Sequence, residues 1–202
     1  MGRRVCSAPE PTSAVRSGSV PGPRVKGVES AGELVDRLTA VVPDFPAPGV
    51  LFRDLTPTLA DADGLRAITD EFVDVFAGRF DLVAGIEARG FLLGAAAAYA
   101  SGSGVLAVRK AGKLPPETFS VRYDLEYGSA QLEVRSAEFP VGARILVLDD
   151  VLATGGTVAA TCALLERAGG TIAGIGVVLE LLALNGRAAL PGRDLHAIRA
   201  VA

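Results

Sequence analysis

Two adjacent carboxylates and a glycine-rich loop stand together in the second half of the chain. Asp149 and Asp150 follow the apolar residues 145–148, and the loop that comes next contains Ala153, Thr154, Gly155, Gly156 and Thr157. Bare backbone N–H groups in such a loop, and the positive end of a helix that follows it, attract a phosphate group. The two carboxylates can accept hydrogen bonds from ribose hydroxyls or help to hold a divalent cation. This run therefore predicts a site for a phosphorylated sugar.

The elements that must position this run can be inferred from the flanking residues. Residues 145–148 have the length and β-branched content of a buried strand. Val158, Cys162 and Leu165 then repeat at helical spacing, and glycines 169 and 170 predict the helix end. An ordinary strand–turn–helix connection, with acids that only solvate the strand end, is the alternative. No Gly-x-x-x-x-Gly-Lys-Ser/Thr loop occurs, and residues 102–104 lack the third glycine of a dinucleotide fingerprint.

Composition limits the classes of protein to which the chain can belong. Its 202 residues are 50% hydrophobic, which suits one domain with a sizeable core. A net charge of −3 argues against a nucleic-acid partner, and no apolar run reaches the ~18 residues that span a membrane. Two cysteines give no disulfide framework, and a single histidine excludes a metal site of His and Cys ligands. We expect Cys162 to be a core residue and His196 to be structural or solvated.

The first 27 residues differ from the rest, because they are rich in Pro, Ser, Gly and Arg. They contain no apolar stretch of the kind that a secretory signal requires. We expect residues 1–27 to be a disordered N-terminal extension and residues 28–202 to form the domain, in a cytoplasmic protein. An organelle transit peptide and a start codon assigned too far upstream are the alternatives.

The rest of the chain alternates between helical and strand patterns. Ser30 and Glu33 form a capping-box pattern that predicts a helix ending at Pro43, and a rigid loop then leads into residues 50–52. Further predicted helices cover residues 64–76 and 91–100, predicted strands cover 82–86, 105–108, 145–148 and 172–179, and a two-stranded excursion covers 119–123 and 131–135. This order predicts an α/β fold with a central, mostly parallel sheet flanked by helices.

A parallel sheet gathers the carboxyl ends of its strands along one edge. Three predicted strands end in polar groups at this edge: Glu87 with Arg89, Arg109 with Lys110, and the two adjacent aspartates. We therefore expect a single site built from all three.

The run that ends in Thr157 resembles the phosphoribosyl-pyrophosphate (PRPP) signature of the type I phosphoribosyltransferases. Four further blocks, residues 43–57, 87–91, 108–115 and 123–128, are similar to the adenine-specific branch of that family and occur in its order. The resemblance implies the type I fold, with a small hood and a flexible lid loop over residues 114–131. It also implies the substrates adenine and PRPP, the products AMP and pyrophosphate, a Mg²⁺ cofactor and a homodimer.

The resemblance also assigns roles to particular residues. Backbone groups of Leu51 and Arg53 would meet the edge of adenine, and Phe52 would stack on its ring. Glu126 would exchange a proton with the base near N7, and the Glu87–Ala88 peptide bond would be cis. The PRPP and AMP site would contain Arg89, Arg109, Lys110, Lys113, Asp149, Asp150, Ala153, Thr154, Gly155, Gly156 and Thr157.

No direct protein ligation of the metal is expected, since PRPP would carry Mg²⁺ to a position near Asp149 and Asp150. Simpler interpretations remain for some of these residues: Phe52 as a core aromatic, and Arg109, Lys110 and Lys113 as a solvated basic run. Two rival functions also remain open. One is a non-catalytic regulator that senses PRPP, and the other is a phosphoribosyltransferase for another base.

Overall fold

The first helix and the strand after it show where local pattern and tertiary pairing compete. The computed structural model describes residues 29–124, 129–136 and 139–202. Helix α1 (Ala31–Leu38) begins at the predicted capping box, in which Ser30 and Glu33 each accept a backbone N–H of the other. The prediction that this helix reaches Pro43 is wrong. The β-branched residues Val41 and Val42 instead form β1 (Ala40–Pro43), because they pair with a later strand.

That later strand, β2 (Leu51–Asp54), completes a small antiparallel hood. The loop between the two strands contains a cis Phe45–Pro46 bond and is closed by Asp44, whose Oδ1 accepts the Gly49 N–H at 2.7 Å. The ring of Phe45 lies edge-on to that of Phe52, with 5.2 Å between centroids. The hood therefore holds Phe52 in a fixed orientation.

A seven-stranded sheet forms the centre of the domain. Its strands are β3 (Leu82–Ile86), β4 (Gly104–Lys110), β5 (Thr118–Asp124), β6 (Ser129–Arg135), β7 (Arg144–Leu152), β8 (Thr171–Leu181) and β9 (Leu195–Val201). They lie in the order β5-β6-β4-β3-β7-β8-β9. The five strands from β4 to β9 in this order are parallel, and the β5–β6 hairpin adds to β4 antiparallel. The predicted mostly parallel sheet is confirmed, and the two-stranded excursion extends it.

Helices cover both faces of the sheet. They are α2 (Thr56–Ala60), α3 (Ala62–Val75), α4 (Gly90–Ser101) and α5 (Gly156–Arg167), and two short 3-10 helices, Leu182–Leu184 and Gly186–Ala189, follow β8. Alternate residues of β7 divide the core. Ile145 and Val147 pack on the face that α5 covers, whereas Leu146 and Leu148 pack with Phe72 on the other face. None of the helices in the described part is long and apolar enough to cross a membrane.

Three details differ from the sequence predictions. Strand β7 continues to Leu152, so Asp149 and Asp150 lie within it rather than after it, because β8 keeps pairing with it as far as Glu180. Helix α3 begins two residues early, since Asp61 caps it. Helical spacing also predicts Val75 on the same side of that helix as Ile68 and Phe72, but Val75 is 40% exposed whereas they are buried. Helix α2 and strand β9 had no sequence prediction.

Candidate active site

The two aspartates near the end of β7 have different surroundings. Asp149 is 8% exposed, and its Oδ1 accepts the backbone N–H of Asp150 at 2.9 Å. Burial raises the pKa of the Asp149 carboxyl well above its ordinary value, and the neighbouring charge of Asp150 adds to the shift. The Asp150 side chain is 18% exposed and forms an ion pair with Arg89. The more accessible carboxylate is therefore that of Asp150.

The turn between β3 and α4 packs directly on these aspartates. A Cβ atom on Gly90 would lie 2.7 Å from the Leu148 carbonyl oxygen and 3.3 Å from Asp149 Oδ1. Only glycine allows this approach. The Glu87–Ala88 bond in this turn is cis, which confirms the prediction for it. Since the turn brings Arg89 against Asp150, the structure joins the ends of β3 and β7 as the topology predicted.

The basic turn after β4 is shaped by two acids. Glu87 Oε2 accepts the Lys110 N–H at 3.0 Å and lies 3.5 Å from Arg109 Nε, which is buried and makes no hydrogen bond with the described residues. The other end of the Arg109 guanidinium donates to the Lys113 carbonyl at 3.2 Å. Glu133, on β6, accepts the N–H groups of Lys113 and Leu114 at 3.0 and 2.9 Å.

These contacts separate the predicted basic residues into two kinds. Lys110 and Lys113 are exposed at the edge of the site, whereas the Arg109 guanidinium is occupied in holding the turn and lies over the ring of Phe91. Sequence reasoning missed Glu133. The only signal for it is an acid between two apolar strand residues, Leu132 and Val134, and its partners are backbone groups that no sequence pattern reveals.

The glycine-rich loop of residues 153–157, called the phosphate loop below after its predicted ligand, lies at the start of α5. Asp149 and residues 151–158 line a small cavity of ≈ 70 Å³. Gly155 takes φ 81° at the N-cap, and among the described residues no side chain caps this helix end. Its first N–H groups therefore remain available to an anion. Tyr123 on β5, which had no predicted role, lies with its hydroxyl 3.4 Å from Thr157 Oγ1.

A second, mostly apolar cavity of ≈ 300 Å³ opens beside the first. It is lined by Val50, Leu51, Phe52, Arg53, Arg89, Asp150, Val151, Leu179 and Leu181. The three residues predicted for the base thus lie together with two predicted for the sugar and pyrophosphate. Neither buried cluster of the described core includes Phe52, so its ring lines a cavity rather than the core. The volume is at the lower end of the range for small-molecule sites, about 300–1,000 Å³.

Several other predictions fall elsewhere. Glu126 and residues 1–27 lie outside the described residues, so the acid–base assignment and the extension stay predictions. Cys162 is buried in the core as expected, and burial raises the pKa of its thiol to about 11. His196 lies away from the site and contacts Glu71 at 2.7 Å, in keeping with a structural role. Within the described ranges, no group of three or more His, Cys, Asp or Glu side chains could hold a metal ion.

Comparison with known proteins agrees with this geometry. The family model for the phosphoribosyl transferase domain matches residues 54–188. An adenine phosphoribosyltransferase from Clavibacter sepedonicus is 63% identical over 169 residues, which cover 84% of this chain and 88% of that protein. One from Renibacterium salmoninarum is 58% identical over 170 residues, which cover 84% and 93%.

The chain belongs to the adenine phosphoribosyltransferase family. As a member it is a pentosyltransferase of purine salvage. Crystal structures of the family have the same fold. The adenine phosphoribosyltransferase from Thermoanaerobacter pseudethanolicus superimposes with a TM-score of 0.80 at 42% identity, covering 84% of this chain and 99% of that one. The Saccharomyces cerevisiae enzyme, in complex with adenine and an imino-altritol bisphosphate, gives 0.78 at 33% identity, covering 84% and 98%. The predicted type I phosphoribosyltransferase fold is confirmed.

Proposed function

We propose that this protein joins adenine to the ribose of PRPP and releases pyrophosphate, so that AMP is formed. The observation that carries this proposal is the shared wall of the two cavities. Asp150 and Arg89 line the apolar cavity together with Phe52, and the next residues along β7 lead into the phosphate loop. A base in the apolar cavity and a 5′-phosphate in the cavity of the phosphate loop would place the ribose over Asp150, between them.

Base recognition follows from the position of β2. Within the described residues this strand pairs only with β1, so its other edge keeps unpaired backbone groups. Carbonyl groups of Leu51 and Arg53 would accept hydrogen bonds from the exocyclic amine of adenine, and the Phe52 ring would stack on the purine. Hypoxanthine and guanine present a carbonyl at that position. They would leave a buried acceptor unpaired, which is a strong discriminator.

The sugar and its phosphates would be held by different elements. The N–H groups of residues 154–157 would bind the 5′-phosphate, and the Asp150 carboxylate would accept hydrogen bonds from the ribose hydroxyls. Arg89, Lys110 and Lys113 would bind the pyrophosphate. Arg109 would belong to this group chiefly by holding the turn that carries Lys113, given its contacts with Glu87 and the Lys113 carbonyl.

The residues present also fit a magnesium ion that arrives with PRPP. Mg²⁺ usually keeps several waters and is bound through one or two carboxylates together with substrate phosphates. The Asp149–Asp150 pair supplies carboxylates that can hold the waters of such an ion, and the described residues contain no dedicated cage of ligands. We propose that these two aspartates hold the ion through its waters, without direct ligation. When bound, it would neutralise the charge that develops on the leaving pyrophosphate.

The chemistry itself exchanges one bond at C1′ for another. The C1′–oxygen bond to pyrophosphate breaks with its electron pair on oxygen, a nitrogen of the base bonds to C1′, and the base gives up a proton. Glu126 is proposed to exchange that proton at N7. Glu126→Gln should keep PRPP binding and lower kcat by about 10²- to 10⁴-fold, the range for a general acid or base. A kcat equal to that of the unchanged protein would remove Glu126 from this role.

The reaction is tested by incubating the full-length protein with adenine, PRPP and Mg²⁺ and following the products by chromatography. AMP and pyrophosphate should appear in equal amounts, and a chelator should stop their formation. Binding of PRPP without formation of AMP would instead identify a regulator that senses this ligand. Absence of both binding and turnover would reject the proposal.

A homodimer is proposed from an apolar face on α4. Leu92 and Tyr99, two helical turns apart on one side of α4, are 57% and 92% exposed. Large apolar side chains exposed together on one side of a helix are typical of an interface. Sedimentation should give twice the mass of the chain, and Tyr99→Glu should lower it to that of a single chain.

We further propose a cytoplasmic location and a domain that begins near residue 28. PRPP and AMP are highly charged and do not cross membranes unaided, so the enzyme must share a compartment with the reactions that make its substrate. Fractionation of cells should recover the protein in the cytoplasmic fraction.

A further inference from the structure

An ion pair between buried Glu180 and half-exposed Arg187 joins the end of β8 to the 3-10 helix Gly186–Ala189. Glu180 is 4% exposed, and both its oxygens accept from Arg187, with Nε–Oε1 and Nη2–Oε2 distances of 2.8 Å each. The remaining arm of the guanidinium donates to the Leu195 carbonyl at 3.2 Å. Such a two-pronged contact fixes orientation as well as distance. The 3-10 helix is therefore fixed to both β8 and β9.

The same 3-10 helix lies directly behind the phosphate loop. A Cβ atom on Gly155 would come within 2.3 Å of the Gly186 carbonyl oxygen. A Cβ on Gly186 would come within 2.3 Å of the Ala153 carbonyl oxygen and 2.9 Å of Leu152 Cγ. Real side chains do not tolerate either distance. The loop and the 3-10 helix therefore touch backbone to backbone, and a shift of one must move the other.

The strand that carries Glu180 also borders the base cavity. Leu179 and Leu181, on either side of Glu180, line that cavity. Glu180 itself is absent from the lining and turns to Arg187. One short segment thus reaches both cavities, the base cavity through its leucines and the phosphate loop through its ion pair.

We propose that Glu180, Arg187 and Gly186 are positioning residues for the phosphate loop. The ion pair holds the 3-10 helix in place, and the helix supports the loop from behind, so that its N–H groups are set before the 5′-phosphate arrives. The ion pair by itself is weak evidence for stability, because desolvation of Glu180 and solvent screening at half-exposed Arg187 offset much of its attraction. The ion pair can still serve to orient the backbone of a binding loop, because this role depends on its geometry and not on its net contribution to the free energy of unfolding. The inference rests on the proposed role of this loop in phosphate binding.

The first test is Gly186→Ala, with Gly32→Ala as its matched control. Neither glycine has a positive φ, so only the space around the new methyl group differs. At Gly32 the nearest atom would be 3.7 Å away, which is ordinary contact. Gly186→Ala should raise the Kd for AMP and the KM for PRPP by about tenfold or more. The KM for adenine, measured at saturating PRPP, should stay within about twofold, and Gly32→Ala should change none of these values.

The second test is Arg187→Lys, which keeps the charge but loses the two-pronged contact. Its control is Arg193→Lys, because Arg193 also binds a carboxylate with two arms, that of Glu166, at the end of α5 away from the loop. Arg187→Lys should weaken AMP binding and leave the melting temperature close to that of Arg193→Lys. This variant decides the matter if Gly186→Ala fails to fold.

The inference is overturned if the folded variants bind AMP as tightly as the unchanged protein. It is equally overturned if Arg187→Lys lowers the melting temperature and raises the KM values for PRPP and adenine by the same factor. That result would mean that the ion pair supports the whole fold and not the phosphate loop in particular. Failure of the proposed function is distinguishable from both, because the unchanged protein would then bind no AMP at all.

Discussion

Arg89 and Asp150 form an ion pair in the wall of the apolar cavity. The pair joins the turn after β3 to β7, and both side chains are assigned to PRPP, one to its pyrophosphate and one to its ribose. A ligand that occupies the site must therefore replace this contact. Pyrophosphate oxygens would take the guanidinium, and ribose hydroxyls would take the carboxylate, so each charge keeps a partner. The pair keeps both groups oriented until PRPP enters.

Asp150→Asn tests the ribose assignment. The substitution should keep the fold and weaken the binding of PRPP and AMP together, because both ligands place ribose hydroxyls at this residue. Hydrogen bonds to a charged group contribute about 1.5–3 kcal/mol, so the affinity for each ligand should fall about tenfold or more. Calorimetric titration measures both affinities. Asp194→Asn, which alters an exposed ion pair with Arg79, is the control and should change neither. Unchanged affinities in Asp150→Asn would remove this residue from the site.

Phe52→Ala tests the base cavity. Stacking of a base on an aromatic ring contributes about 1–3 kcal/mol, so the KM for adenine should rise by about 5- to 150-fold. The KM for PRPP provides the internal control, since the Phe52 ring lines only the apolar cavity, and it should stay within about twofold. Equal increases in both KM values would mean that the ring supports the whole site rather than the base.

Asp149→Asn tests the cost of burying a carboxyl beside another one. Burial raises the pKa of Asp149 above its unfolded value of 3.8. Below pH 3.8 the Asp149 carboxyl is protonated in both the folded and the unfolded protein, so it does not lower the free energy of unfolding. As the pH rises above 3.8, the unfolded chain ionises readily and the folded chain resists, so the folded state loses stability until the pH passes the raised value. The asparagine variant should therefore melt at a higher temperature than the unchanged protein near pH 7, and the difference should shrink toward pH 4.

Asp81→Asn should show the opposite sign in the same experiment. Hydrogen bonds from Arg144 lower the pKa of Asp81 to about 2. The pair therefore stabilises the fold above pH 3.8, and that contribution disappears as the pH falls through about 2. The variant should melt below the unchanged protein at neutral pH and match it in strong acid. If the two substitutions shifted the melting temperature in the same direction near pH 7, the assigned causes would be wrong.

Removal of residues 2–27 tests the domain boundary. This segment has no apolar periodicity with which to join the core, and its Pro and Gly content favours an expanded chain. Activity and melting temperature should therefore stay nearly unchanged in the shortened protein. If the shortened enzyme unfolds or loses turnover of adenine, the extension packs on the domain and the boundary near residue 28 is wrong.

Local runs of sequence predicted the parts of the site that a single segment supplies. One strand–loop–helix unit contains Asp149, Asp150 and Gly155. The parallel order of the strands was then enough to predict that Arg89 lies beside them. The supporting residues could not be found this way. Glu133 binds backbone groups that lie about twenty residues earlier in the chain, and Gly186 matters only because another loop touches it.

The same limit explains the errors in the fold. Residues 39–43 continue a helical pattern when α1 is considered alone, and only pairing with β2 makes Val41 and Val42 a strand. The sequence predicts that the strand ends before Asp149 and Asp150, because two adjacent polar residues usually end a buried strand. The neighbouring strand β8 continues beyond them and keeps β7 extended as far as Leu152. Local propensity is overruled in both places by a partner that is distant in sequence.

In the proposed reaction, one site holds adenine against the hood and PRPP against the phosphate loop. The most direct test of this arrangement is the turnover of adenine, hypoxanthine, guanine and xanthine, each supplied separately with PRPP and Mg²⁺. Adenine alone should be converted efficiently, with kcat/KM about 10⁴-fold or more above that of any other base, as for sites built to hydrogen-bond one substrate group. Equal turnover of hypoxanthine or guanine would contradict the account of the base cavity.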